Sequence, residues 1–255
     1  MATLTALFPD ATQLTITQPV GGEFNQLYVR NTNYDSVTNG GFCCLWTVPT
    51  GTVWARFEVW GGGGDGGGAC CCQQPSMGGG SGSYARKTTR VIAGEQYRLC
   101  AAGSGCCSQT CQGTNGFPSY VVNPGAATYP VNLCASGGYG GNSSCFHSMT
   151  GCFHCATVIC GCTSGADFSL CGLTGSAHAG PGCAFDGWQY TPSGTNSGGG
   201  ARHGSTHCGE FWMGCALMGN GNIFPGGGGG TGLSHNGACC WGGWGAGGQV
   251  LVTFK

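Results

Sequence analysis

The sequence predicts a mainly β protein: a small β framework or sandwich enclosing polyglycine-II-like segments, disulfide-rich, with little or no helix. Three observations carry this expectation. Of 255 residues, 55 are glycine and 21 are cysteine. Glycine weakens a helix by about 1 kcal/mol per residue relative to alanine. Alternating apolar residues stand at both ends of the glycine-rich stretch, as strands require. Disorder conflicts with a 40% hydrophobic share, 11% aromatics and a net charge of −1, the reverse of the disordered signature. Glycine in regular structure costs about 0.5–1 kcal/mol more than alanine. The cysteines read as compensation, since each disulfide restricts the unfolded chain by about 2–4 kcal/mol.

The elements follow in chain order. Leu14–Thr17 and Leu27–Arg30 are short period-two runs with a turn signal at Pro19–Gly22 between them. After a turn at Pro49-Thr-Gly51, Val53–Trp60 alternates cleanly. Val53, Ala55, Phe57 and Val59 fall on one face and Trp54, Arg56, Glu58 and Trp60 on the other. Gly61–Gly68 then holds seven glycines and one aspartate. Tyr84–Ile92 and Gln96–Cys100 flank a turn at Ala93-Gly-Glu95, a spacing that predicts a hairpin. From Ala101 to Gly248 glycine clusters, cysteines and scattered aromatics alternate without clear period. Gln249–Phe254 closes the chain as a strand with Val250, Val252 and Phe254 on one face. Glycine runs can adopt polyproline-II geometry, three residues per turn with about 3.1 Å rise, and pack backbone to backbone. Collagen is excluded, because strict period three and abundant proline are both missing.

Composition also limits function. Charged residues are 7% of the chain, against about 25% usually. Lysine and arginine do not cluster, so nucleic acid is not an expected partner. No apolar stretch approaches the ~18 residues of a membrane helix, and membrane insertion is not expected. Met1–Gln18 lacks the basic and apolar regions of a secretory signal.

Four segments together resemble the glycine-rich domains of bacteriophage tail-fibre and adhesin proteins. They are Val48-Pro-Thr-Gly51 with the Val53–Trp60 strand and Gly61–Gly64; Gly78–Lys87 with the Thr88–Leu99 hairpin; Tyr139-Gly-Gly-Asn-Ser-Ser-Cys-Phe146; and Gly247–Phe254. The similarity spans residues 48–255, and the 21 cysteines depart from the family pattern. It implies a β framework around packed polyglycine-II helices, exposing variable loops for host recognition. The implied protein is a non-catalytic virion component of a tail fibre or appendage, assembled in the host cytoplasm and then extracellular. Implied partners are other virion proteins, a host-surface glycan or protein, and sister copies, most often as a trimer. Residues 1–47 are then expected as an N-terminal β module for virion docking or oligomer contacts, and residues 48–255 as the glycine- and cysteine-rich domain.

The vicinal sets Cys43-Cys44, Cys70-Cys71-Cys72, Cys106-Cys107 and Cys239-Cys240 are disulfide candidates, together with Cys100. Neighbouring cysteines rarely bond each other, because a bridge needs Cα atoms about 5.5 Å apart, so each member is expected to reach a different segment. Cys152, Cys155, Cys160 and Cys162 belong to the same framework. Their C-x2-C spacing, with His154 and the His203/His207/Cys208 group, also suits zinc or an iron–sulfur cluster. A metal-binding protein is therefore one alternative, and a non-phage extracellular structural protein another. Reducing host cytoplasm disfavours bridges before release; metal ligation would remove that tension. No cofactor is expected otherwise. No nucleophile elbow, HExxH or phosphate-binding loop occurs. Trp188, Tyr190, Trp212, Trp241 and Trp244 sit in Gly/Ser-rich surroundings, where they either fill gaps left by glycine or contact a receptor.

Overall fold

A computed structural model describes residues 2–7, 13–18, 25–30, 41–66, 79–103, 113–141, 163–172, 226 and 244–255. Among these residues the chain is mainly β and contains no helix. The strands in order are β1 (Ala2–Leu7), β2 (Gln13–Gln18), β3 (Asn25–Arg30), β4 (Phe42–Thr47), β5 (Trp54–Trp60) and β6 (Tyr84–Arg90). They continue with β7 (Gln96–Ala101), β8 (Ser119–Val122), β9 (Asn132–Ala135), β10 (Thr163–Ser164), β11 (Phe168–Leu170) and β12 (Gln249–Phe254). Two antiparallel sheets result. One runs β10-β9-β8-β7-β4-β1-β2 and the other β11-β6-β5-β12-β3.

Alternation places one face of each central strand in a shared core. Ala55, Phe57 and Val59 of β5 point inward, as do Val250, Val252 and Phe254 of β12, as expected, whereas Val53, expected on the same face as Ala55, precedes the strand and is exposed. From the other sheet come Cys44 and Trp46 of β4, Tyr97 and Leu99 of β7, Val121 of β8 and Leu133 of β9. Trp46 is the hub. Its indole lies 5.2 Å from Phe254, 5.8 Å from Tyr97 and 5.9 Å from Phe57, centroid to centroid. Aromatic pairs at such separations contribute about 0.5–1.5 kcal/mol each beyond the area they bury.

One sequence expectation of strand pairing changes. Residues 84–100 do not form a hairpin. β6 ladders to β5 and β11, whereas β7 ladders to β4 and β8 in the opposite sheet. Residues 91–95 are therefore an arch between sheets. Val91 is buried beneath it, Gly94 takes φ 87°, and the Gly94 N–H donates to the Val48 carbonyl. Turn chemistry is the same in an arch and in a hairpin; only the partners of the flanking strands differ. Ladders in both sheets join residues 25–47 to those that follow. β3 pairs with β12 along its whole length, and β4 with β7. Residues 25–47 thus share one sandwich with the residues that follow, because the core needs Val29 and Trp46 from that segment.

Candidate functional site

Where strands leave one pole of the sandwich, the chain continues as glycine-rich segments that associate through their backbones. Residues 61–66 run out from β5 and are buried throughout. Segments 79–83, 113–117 and 244–248 run back into β6, β8 and β12, and 136–141 runs out from β9. The N–H groups of 61–65 turn through three directions in succession. Gly61 and Gly64 donate to the carbonyls of Ser83 and Gly80, Gly62 and Asp65 to those of Phe117 and Thr114, and Gly63 to that of Ala246, all at 2.8–3.0 Å. A bonding direction that repeats every third residue is the signature of the three-residue polyproline-II turn. The neighbours obey the same period: Gly80 and Ser83 donate to Tyr139 and Ser136, and Gly138 and Gly141 donate to Gly62 and Asp65. Backbone polar groups buried without secondary-structure ladders are satisfied in this way.

The close approach explains the glycine. A Cβ on Gly64 would overlap the Tyr139 carbonyl, one on Gly82 the Gly61 carbonyl, and one on Gly245 the Gly63 carbonyl. At these glycines a neighbouring segment's main chain takes the place of a side chain, so the bundle packs largely backbone against backbone.

Among the described residues, Asp65 is the one carboxylate inside it. It is 0% exposed, and its oxygens accept hydrogen bonds from the Gly245 N–H at 2.9 Å and from the Thr114 hydroxyl. Burial dominates these bonds and pushes its carboxyl above the ordinary carboxylate range. The aspartate ties 61–66 to two further segments through its side chain as well as its backbone. The sequence marked it as the single charge in Gly61–Gly68 but gave it no role.

Among the disulfide candidates, Cys43 and Cys100 stand directly opposite on β4 and β7 and are bonded, with Cα atoms 4.1 Å apart. Cys44, one residue on, points to the other face and is a buried free thiol, pushed up to about 12 by burial. Consecutive strand residues face opposite ways, so a vicinal pair splits into one outward and one inward sulfur. Cys70, Cys71, Cys72, Cys106, Cys107, Cys152, Cys155, Cys160, Cys162, Cys239 and Cys240 lie outside the described residues, as does the His203/His207/Cys208 group. So do Trp188, Tyr190, Trp212 and Trp241. Trp244 is half-buried at the residue where the chain enters the bundle.

A family model for a glycine-rich domain matches residues 37–255. The chain belongs to this family. The matched span includes β4, the strand that supplies Trp46 and Cys43. No curated protein sequence matches the chain.

Proposed function

We propose that this glycine-rich domain protein is a non-catalytic structural component of a bacteriophage virion, in a tail fibre or similar appendage that contributes to host-surface attachment. The backbone-bonded bundle is the observation that supports this reading. It leaves at Gly66 and Gly141 and is re-entered at Gly79, Gly113 and Trp244. Residues 173–225, which hold Trp188, Tyr190 and Trp212, and residues 227–243, which hold Trp241, fall in sequence between described parts of the chain. Such a bundle suits an attachment protein, because contact residues carried on a preorganised scaffold lose less entropy on binding. The reading includes other virion proteins and sister copies as partners, a glycan or protein of the host surface as receptor, and the virion as location.

Gold-labelled antibodies against the purified chain, applied to intact particles from lysates that express it, test the proposal by electron microscopy. Label confined to a particle appendage is the expected result. Particles free of label, with the chain recovered only in the soluble fraction, would overturn it.

A further inference from the structure

The outer face of the five-stranded sheet gathers a disproportionate share of the chain's few charges. Of eight lysines and arginines in the whole sequence, four alternate onto this face: Arg30 on β3, Arg56 on β5, and Arg86 and Arg90 on β6. Glu58 of β5 is the one carboxylate among them, leaving three positive charges in excess on a chain whose net charge is −1.

The ladder registers set these residues in order. One row across the sheet reads Phe168, Arg86, Glu58, Leu251, Tyr28. Four inter-strand steps of about 4.8 Å separate its ends by ~19 Å. Each end carries the same device. The Arg86 guanidinium sits 5.1 Å over the Phe168 ring, and the Arg30 guanidinium 4.9 Å over the Tyr28 ring. Both rings are among the most exposed large apolar side chains, at 40% and 46%. Stacking on an aromatic face and, for Arg30, a 2.9 Å bond to the Gln249 side chain hold the guanidinium planes before any ligand arrives. Between the ends, Glu58 is fixed by the Tyr84 hydroxyl at 2.6 Å and by Arg56 at 3.1 Å.

We propose that this face binds an extended acidic saccharide, one whose carboxylates are spaced along the chain rather than present on every unit. The two stacked arginines supply bidentate donors for carboxylates at the ends of the row. The exposed rings offer apolar faces to sugar rings, and Glu58 with the exposed Thr88 and Gln26 supplies acceptors and a donor for hydroxyls. The central carboxylate disfavours single-stranded nucleic acid, whose backbone carries a phosphate at every nucleotide and would bring one against Glu58. The inference stands on the sheet face alone, whether or not the protein is part of a virion.

Isothermal titration of the full chain with a deacylated gellan oligosaccharide, which carries one carboxylate per four-sugar repeat and so spares the position of Glu58, tests it. The wild type is expected to bind gellan and not neutral dextran, more weakly as salt rises. Arg30→Gln combined with Arg86→Gln should weaken binding by about tenfold or more, since each arginine makes a charge-assisted contact. Arg98→Gln, on the outer face of the other sheet, should leave affinity unchanged, and matched melting temperatures establish that both variants are folded. Phe168→Ser, which strips a ring without altering charge, should weaken binding as well. Undiminished binding by the double variant, equal binding of dextran, tighter binding of oligothymidylate, or no binding of gellan would each overturn the proposal.

Discussion

Asp65 and Gly64, adjacent in sequence, test the bundle from opposite directions. The Asp65 carboxyl is raised above its ordinary range chiefly by burial. At pH values between the unfolded value, about 3.9, and the raised native value, the folded chain keeps a proton that the unfolded chain has lost. Stability from this group is therefore present in acid and declines as pH rises through that window. Asp65→Asn retains an acceptor for the Gly245 N–H and cannot ionise, so urea unfolding as a function of pH should lose this decline; an unchanged slope would contradict the assignment. Gly64→Ala should destabilise by about 1–3 kcal/mol or more, the range of overpacking, since its Cβ would meet main chain. Gly125→Ala is the control, with nothing within 4 Å of the added carbon, and should be neutral or stabilising by about 0.4–1 kcal/mol. Cys44, pushed up to about 12, should escape iodoacetamide in the native protein near neutral pH and react only after unfolding. The cysteines show what residue types reveal. Vicinal spacing pointed to a bridge from each of Cys43 and Cys44 to a different segment; Cys43 is bridged, but Cys44 is a free thiol in the core, because sulfur serves as bridge and as apolar filler.

Among elements, β5 and β12 were legible because both alternate cleanly and lie at the centre of their sheet, where one face must be buried. The arch at residues 91–95 was not, since a turn signal is local and strand partners are not. Short strands such as β10 and β11, with two and three residues, carry too few alternations to register. The β4–β7 pair offers a direct test. Its disulfide spans a separation of 57 residues, for which the chain-entropy relation gives about 4 kcal/mol. Cys43→Ala or Cys100→Ala should lower the unfolding free energy by that order, and a reductant should do the same to the wild type alone. The polyglycine segments should behave as ordered elements in hydrogen exchange. Amides of Gly62, Gly64, Asp65, Gly80 and Gly138 are expected to show protection comparable to the strand amides of β5, since each donates to a neighbouring segment at 2.8–2.9 Å. Exchange at unstructured rates would refute the bonded bundle.

At the scale of the whole molecule, sandwich and bundle are one continuous object. Each bundle segment is the direct extension of a strand, so neither part can open without releasing the other's ends. Heat should unfold them in one transition, and Gly64→Ala should shift that transition without splitting it; two separable transitions would show independent units. Strands at both ends and glycine between them were enough to anticipate this architecture from sequence. Which segments neighbour one another was not, because main-chain contacts leave no side-chain pattern to read. The threefold bonding period carries a further consequence for how such a chain can change its length. Inserting a single residue between Gly62 and Gly63 would rotate every later donor by a third of a turn and misdirect it to the wrong neighbour. Inserting three would restore all the directions and merely lengthen the segment. Within the bundle, length is therefore free to vary in triplets and is closed to other increments, a reading-frame rule written in main-chain geometry.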